Sequence, residues 1–484
     1  MPLPGSKKKF KISKKEKRKE GIMQKSNAFV DVLKNIRELV GAEFYSDSLE
    51  DRLCYSYDAT IEEALPDAIV SPGATEDIAR IMKWANEAKM PVIPRGAGTG
   101  LSGGSVPVKG GLVMILTRLN RILEINEADF YMVVEPGVIT NTINEVMAKK
   151  GFMYPPDPAS MKTSTIGGNV AENAGGLRGL KYGVTKNYVM ALEVVTPTGE
   201  IIKTGTHTVK TATGYNLTQL FVGSEGTLGV ITKITLKFIP APEHKESMMA
   251  IFKDMNQAAQ TVADIIKSGV VPATLEFLDH ITINAVEDFE RIGLPRDADA
   301  LLLIETDGMK EAAIREIASV EEICKKNDAF KTQKAKTEKE REIVWAARRV
   351  AFSALARVRP TTILEDATVP RSRIPDMVRG VNQIARKYNI MIGNFGHAGD
   401  GNLHPTILTD ERDKEEFARV EKAIEEIFDL ALKLDGTLSG EHGIGYSKAK
   451  FLENEVGKDG LAVMKRVKDA LDPNGILNPG KMSL

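Results

Sequence analysis

The sequence predicts an α+β chain of at least two domains, and three observations carry that expectation. Its 484 residues exceed the length, about 250–300 residues, at which one hydrophobic core stops growing. Up to about residue 240, short β-branched runs alternate with helical stretches, which is the plan of a nucleotide-binding α+β or α/β domain rather than a bundle. Beyond that point the pattern changes to strand-helix-strand units of a second, more compact kind.

Taken in order, residues 26–65 read as one helix, SNAFVDVLKNIRELVG, followed by a polar connection. DAIVSP, PVIPRG, LVMILT, YMVVEPG, ALEVVTPTGEIIKTG and GVITKITLKFIP then supply strands, with VVTPTGEIIKT as a hairpin around a Pro/Gly turn. TEDIARIMKWANEAKM is a helix between them, as is ITNTINEVMAKKG, with an Asn or Thr start and a Gly stop. From FIPAPEHKESMM onward, MMAIFKD, MNQAAQTVADIIKSG, ATLEFLD, ALLLIETDG and MKEAAIREIASVEEICKKN read as a split βαβ sandwich, which predicts an antiparallel sheet of the ferredoxin-like kind. KTQKAKTEKEREI reads as a solvated helix face, and the tail DALDPNGILNPGKMSL holds enough apolar anchors to pack back onto the fold.

Composition narrows the function. The net charge of -1 leaves no dominant basic face for phosphate contacts, so nucleic acid is excluded as the main partner. Two cysteines, Cys54 and Cys324, exclude a disulfide framework and suit a reducing compartment. No apolar run approaches the ~18 residues of a transmembrane helix, and the basic N-terminus lacks the apolar stretch of a secretory signal. A cytoplasmic protein, free or peripheral to a membrane, is therefore expected. Residues 1–25 carry ten Lys or Arg against Glu16 and Glu20, a net of +8. They read as a solvated arm, with docking to an acidic protein or anionic lipid as the alternative.

Three glycine-rich stretches need a ligand. PVIPRGAGTGLSGGSVP (91–107) matches neither a P-loop nor a dinucleotide G-x-G-x-x-G turn, yet its amides can form a nest for a pyrophosphate after a short strand. In PPDPASMKTSTIGGNVAENAGGLRGLKYG (155–183), Ser160, Thr163, Ser164 and Thr165 precede Gly167 and Gly168, and Gly175 and Gly176 close the segment, so hydroxyls and bare main chain face an extended ligand together. GSEGTLGVIT (223–232) ends in a β run. Three such stretches in one domain point to one large dinucleotide-like ligand.

A fourth signal is GHAGDGNLH with SGEHGIG. His397 and His404 are seven apart, which on a straight strand puts them on opposite faces. Gly396, Gly399 and Gly401 offer the bend that brings them together. With Glu441 they make a two-imidazole, one-carboxylate set suited to a divalent transition metal such as Zn, Fe or Mn. The chain has six histidines, and three of them, His397, His404 and His442, lie in these two motifs.

With PRGAGTGLSGG, GGNVAENAGGLR, GSEGTLGVIT, GHAGDGNLH, GEHGIG and NPGK in that order, the chain resembles the vanillyl-alcohol oxidase superfamily of FAD enzymes over nearly everything after residue 45. The likeness is to the branch that contains D-lactate dehydrogenases, D-2-hydroxyglutarate dehydrogenase and the large flavin subunit of bacterial glycolate oxidase. The resemblance implies a two-part FAD-binding domain over 26–240 after the basic arm of 1–25. A capping substrate domain with the metal site then spans 241–450, and a C-terminal segment, 451–484, returns to the FAD domain.

Residue by residue, the resemblance implies that Arg95, Gly96, Ala97, Gly98, Thr99, Gly100, Gly103 and Gly104 hold the FAD pyrophosphate. Parts of the second stretch join them: Asp157, Pro158, Ser160, Ser164 and Thr165, then Gly167, Gly168, Asn169 and Ala171, then Gly175 and Gly176. Gly226, Val230 and Ile231 line the rest of the cofactor, as does Asn478 of NPGK. Some superfamily members carry a flavin-linked histidine where this chain has Thr99, so the FAD is expected to be non-covalent. The motifs give His397, His404 and Glu441 as metal ligands and His442 as the catalytic base. In EIVWAARRVAF the pattern after the Trp favours Arg348 as partner of the substrate carboxylate, with Arg349 as its rival and a surface arginine as the alternative reading. Glu365 and Asp366 are either outer groups behind the ligands or part of a solvated loop.

The expected function is an FAD- and metal-dependent dehydrogenase of a small 2-hydroxy acid, D-lactate or glycolate. Another D-2-hydroxy acid such as hydroxyglutarate, a catalytically silent flavin relay subunit and a metal-dependent hydrolase are the alternatives. No iron-sulfur cysteine set exists, so electrons would leave for a quinone, a cytochrome, an electron-transferring flavoprotein or an iron-sulfur subunit.

Overall fold

In the computed structural model residues 27–484 are described, and the basic arm expected over 1–25 lies outside them. Helix α1 (Asn27–Val40) buries Phe29, Val32 and Ile36 in one core with strands β1 (Ala68–Val70), β2 (Val92–Arg95) and β3 (Leu112–Ile115) and helix α2 (Thr75–Ala88). In α2, Ile78, Ile81, Met82 and Ala85 recur every three or four residues, so they share one face, and all four are buried. Each of the three larger side chains stabilises the domain by about 1.5–3 kcal/mol through burial. The strands pair in parallel in the order β1-β3-β2, with Tyr45–Ser46 antiparallel outside β1. The polar connection after α1 thus holds structure that its sequence did not announce, including the short helix Leu49–Cys54.

Strands β4 (Ile122–Asn126) and β5 (Tyr131–Val134) lead to helices α3 (Thr140–Ala148) and α4 (Ile166–Glu172) and to strands β6 (Val189–Val195), β7 (Ile201–Gly205) and β8 (Val230–Lys237). These strands form an antiparallel sheet in the order β4-β5-β8-β6-β7. The Pro/Gly turn closes the β6–β7 hairpin, with Gly199 at φ 92°, a left-handed conformation that only glycine adopts at little cost. Helix α3 begins without the side-chain cap expected of it. Ile139 holds the cap position, and the Thr140 hydroxyl instead accepts a hydrogen bond from Asn169 Nδ2 at 2.7 Å.

The second half is built on one large antiparallel sheet. Its elements are β9 (His244–Phe252), α5 (Met255–Lys267), β10 (Thr274–Asp279), α6 (His280–Glu290), β11 (Ala300–Gly308), α7 (Lys310–Lys326), β12 (Lys331–Lys334), α8 (Glu338–Leu355), β13 (Thr361–Leu364), α9 (Ile374–Tyr388), β14 (Met391–His397), β15 (Asn402–Thr409) and α10 (Lys414–Lys433). The order β12-β9-β11-β10 is that of a split βαβ sandwich, and β14, β15 and β13 extend it on the β10 side. The reading of KTQKAKTEKEREI as solvated helix needs correction. KTQK is the edge strand β12, pairing Lys331 to Lys334 with Ile251 to Met248, and only the residues from Glu338 are helical. An edge strand with half its side chains in water carries no apolar periodicity to betray it.

Helix α11 (Leu452–Leu471) and the tail beyond it rest against the first half. Lys468 Nζ donates to Thr227 O at 2.7 Å, and Leu477 forms a parallel bridge with Val92 of β2. Asn478 Nδ2 donates to Gly104 O at 2.9 Å and to Glu225 O at 2.8 Å, so one side chain ties the first glycine-rich stretch to the third. The first and second touch as well: a Cβ on Gly96 would lie 2.3 Å from Thr165 Oγ1. The three stretches therefore converge. Among the described residues no helix is long and apolar enough to cross a membrane.

Candidate active site

The hairpin β14–β15 explains how two histidines seven apart come to share a face. His397 pairs with Asn402 and Phe395 with His404, and residues two apart on a strand or opposite one another across a pair point the same way. The two imidazole centroids are 5.3 Å apart. The turn requires glycine at 401, which has φ 92° and where a Cβ would lie 2.1 Å from Val369 O.

Glu441 reaches this face from the loop between α10 and α11. Its Oε1 lies 3.2 Å from His397 Nε2, 3.3 Å from His404 Nε2 and 3.9 Å from His442 Nε2. The His442 ring stacks on that of His404 with centroids 5.0 Å apart and planes 6° from parallel. Burial alone would push the Glu441 carboxyl up and the His397 imidazole down. The neighbouring opposite charges override it, so Glu441 stays well below the carboxylate range and His397 is raised well above its ordinary value. Burial dominates at His442 and pushes it down to about 4, against the opposing pull of Asp366, so at neutral pH its ring is unprotonated.

Asp366 sits behind the histidines and is fully buried, which overturns the solvated-loop reading of Glu365 and Asp366. Its Oδ2 accepts hydrogen bonds from Ser439 Oγ at 2.6 Å, Glu441 N at 3.0 Å and His442 N at 2.8 Å. Burial opposes its ionisation, but His442, Lys448 and His404 together keep its carboxyl far below the usual range. One side chain thus fixes the backbone that presents both Glu441 and His442.

Arg348 and Arg349 diverge because adjacent helical residues point about 100° apart. Arg348 is buried, its guanidinium 4.8 Å from the Phe395 ring centroid and its Nε donating to Glu276. Arg349 is exposed and donates to Glu342 O in its own helix. Glu276 also meets His397 Nδ1, at 2.8 Å. The sequence reading missed Glu276. The signal was there, an acid in the middle of TLEFLD, a strand whose six residues are all buried.

The chemistry of the donor set fits a divalent cation. Coordinating atoms of His397, His404 and Glu441 lie within 4.8 Å of one another, as do those of Asp366, His404 and His442. Among the described residues, His404 Nδ1, His442 Nδ1 and Asp366 Oδ1 are buried without a hydrogen-bond partner. Buried polar atoms left in that state are costly unless something else satisfies them.

The glycine-rich stretches present a matching set. Arg95 is buried and donates to Tyr57 O at 2.8 Å, and Gly98, at φ 72°, leaves space that the Arg95 guanidinium enters. Ala97, Thr99, Gly100 and Gly103 complete that loop, and a Cβ on Gly104 would crowd Glu172. In the second stretch Asp157 pairs with Arg178 at 3.4 Å, Ser160 O accepts from Ser164 N at 2.8 Å after Pro158, and Thr165 caps α4, where Gly167, Gly168, Asn169 and Ala171 follow. Gly175 abuts Glu441, since a Cβ there would lie 2.6 Å from Oε2, and Gly176 lies against Asp157 O. Gly226 is beside Asn478, while Val230 and Ile231 of β8 enter the two cores of this half. Among the described residues Ser102 Oγ, Ser164 Oγ and Asn478 Oδ1 are buried with no hydrogen-bond partner, polar atoms suited to a bound phosphate- and hydroxyl-rich cofactor.

The two sites are joined. Glu225 of GSEGT accepts from Ile444 N at 2.7 Å and from Gly445 N at 2.6 Å, and Ser102 O accepts from Tyr446 N at 2.9 Å. The loop carrying Glu441 and His442 is therefore pinned directly to the first and third glycine-rich stretches.

Comparison with known proteins agrees with this architecture. Residues 66–205 match the FAD binding domain, and residues 241–482 match the C-terminal domain of FAD linked oxidases. The chain is 53% identical to glycolate oxidase subunit GlcD of Bacillus subtilis, over 93% of this chain and 96% of that protein. It is 36% identical to a D-lactate dehydrogenase of Anaerostipes hadrus, over 92% of this chain and 94% of that protein. Its fold matches that of p-cresol methylhydroxylase with a TM-score of 0.78, covering 96% of this chain and 98% of that one at 17% identity. The chain belongs to the FAD-linked oxidases and is an FAD-dependent oxidoreductase.

Proposed function

We propose that this protein oxidises a small 2-hydroxy acid, D-lactate or glycolate, to the 2-oxo acid, with non-covalent FAD and a divalent metal, and passes the electrons to a redox partner. The observation that carries the reading is one carboxylate oxygen, Glu441 Oε1, facing three imidazoles, next to a buried arginine that is joined to one of them through Glu276. His397, His404 and Glu441 would hold the metal. When bound, FAD supplies a two-electron sink and the divalent cation supplies Lewis acidity toward a hydroxyl oxygen.

The chain's own residues account for the remainder. Arg348 uses Nε on Glu276, which leaves its terminal N–H groups free to meet the substrate carboxylate. His442, unprotonated and beside Glu441, is placed to take the proton of the substrate hydroxyl. Asp366 holds His442 through its backbone N–H and faces its Nδ1 at 4.0 Å, which favours the imidazolium as it forms. With two cysteines in the chain there is no cysteine set for an iron-sulfur cluster. Electrons would therefore leave through a partner, an electron-transferring flavoprotein or iron-sulfur subunit, or a quinone.

Anaerobic mixing with D-lactate or glycolate tests the reading, since bleaching of the flavin supports it and an unchanged spectrum with every 2-hydroxy acid overturns it. Arg348→Ala is expected to raise KM about 10–100-fold, the loss of a charge-assisted contact of roughly 1.5–3 kcal/mol, with a smaller change in kcat. Arg348→Lys should recover part of that loss at most, because an ammonium cannot present the planar fork. Steady-state kinetics on both variants checks this.

A further inference from the structure

Glu276 belongs to none of the motifs that suggest the cofactor or the metal, yet it is the residue on which two parts of the active site meet. It lies at the third position of β10, a strand buried along its whole length, and is itself fully buried. Its two carboxylate oxygens have different partners. Oε1 is 2.8 Å from His397 Nδ1, and Oε2 receives Arg348 Nε. His397 comes from β14, the strand next to β10, while Arg348 comes from α8, so the two have no covalent reason to keep a fixed distance.

We propose that Glu276 is a positioning residue that locks the substrate arginine and the metal-ligating histidine into one rigid unit, and thereby selects acids whose hydroxyl is adjacent to the carboxylate. The inference rests on the function proposed above. On the histidine side, a hydrogen bond from Nδ1–H to Glu276 leaves Nε2 as the nitrogen available toward Glu441 and fixes the ring plane. On the arginine side, the bond at Nε and the stacking over Phe395 leave the guanidinium little freedom to rotate. Both constraints run through a single carboxylate. The gap between carboxylate anchor and hydroxyl anchor is therefore set by its width and cannot relax to fit a longer spacer. A 2-hydroxy acid fits that fixed gap, and a 3-hydroxy acid, longer by one methylene, does not.

Glu276→Gln tests this, with Glu276→Asp as its companion. Glutamine keeps size and shape, but one of its two terminal atoms is a donor facing a donor, so one of the two links is lost. Aspartate keeps the charge but is too short to hold both partners. Retained FAD absorbance and an unchanged unfolding transition establish that each variant is folded. Each is stripped with chelator and titrated with Zn²⁺ or Mn²⁺, with bound metal measured after gel filtration. Initial rates are then compared for glycolate, D-lactate and 3-hydroxypropionate.

The expected result is a 10–100-fold weaker metal affinity in E276Q, a rise in KM larger than the fall in kcat, and a smaller ratio of activity with 2-hydroxy over 3-hydroxy acids than in the unsubstituted protein. E276D should lie between E276Q and the unsubstituted protein in metal affinity. Metal affinity and acid preference both unchanged in a folded, FAD-loaded variant would overturn the proposal. So would loss of FAD from both variants, because it would make Glu276 a folding residue only. A protein that binds metal but is bleached by no hydroxy acid would instead fail the functional reading, and the metal titration would still report on Glu276.

Discussion

Replacing His442 with alanine is expected to lower kcat by about 10²–10⁴-fold, the usual contribution of a positioned general base, with little change in KM. The size of the effect follows from the site. His442 is unprotonated at neutral pH because burial pushes its pKa down to about 4, and it is the imidazole held least closely by Glu441: His397 and His404 approach Oε1 at 3.2 and 3.3 Å, His442 at 3.9 Å. Its loss removes the proton acceptor and leaves the arginine contact and the cofactor stretches in place. Stopped-flow flavin reduction should therefore slow while FAD content holds, and added imidazole should restore part of the rate. A rate within a few-fold of the unsubstituted protein would remove His442 from the mechanism.

The second large effect is expected at Glu441. Glu441→Gln removes the charge that faces three imidazoles, and glutamine presents a poor ligand to a divalent cation. If Lewis acidity contributes several kcal/mol to the transition state, its loss costs on the order of 10³-fold in kcat/KM at about 1.4 kcal/mol per factor of ten. The variant should contain FAD but little metal by elemental analysis. The loop itself should hold, since Asp366 binds the backbone of residues 441 and 442 and Glu225 that of 444 and 445. Normal metal content with normal activity would contradict the assignment.

Much of this site is legible in the sequence because its features are costly ones. Glycine runs and clustered histidines stand out against an ordinary composition, and the glycines at 396, 399 and 401 announce the bend that the β14–β15 hairpin makes. The groups behind them were harder to read. Glu276 is one acid in an apolar strand, with partners 72 and 121 residues away in the chain, and only folding reveals them. Glu225 is hidden inside a motif that reads as loop, although its carboxylate accepts from the backbone of residues 444 and 445 and so ties the loop of Glu441 and His442 to the third glycine-rich stretch. Asp366 could not be told from a loop carboxylate until its three donors were in view. Arg348 and Arg349 are equivalent in composition, and the phase of α8 separates them. In the fold, the polar strand β12 was misread for want of a buried face on one side.

In the function proposed, hydroxy-acid oxidation depends on the cluster of His397, His404, Glu441 and His442. The most direct measurement is the anaerobic visible spectrum of the purified, FAD-loaded protein on adding D-lactate, L-lactate, glycolate or D-2-hydroxyglutarate, before and after chelation and again after restoring a divalent metal. Bleaching by D-lactate or glycolate is expected, slowed at least about 100-fold by chelation, in line with a Lewis-acid contribution of several kcal/mol, and restored by added metal. Bleaching at an undiminished rate after chelation and in His397→Ala, or no bleaching by any of these acids, would contradict it.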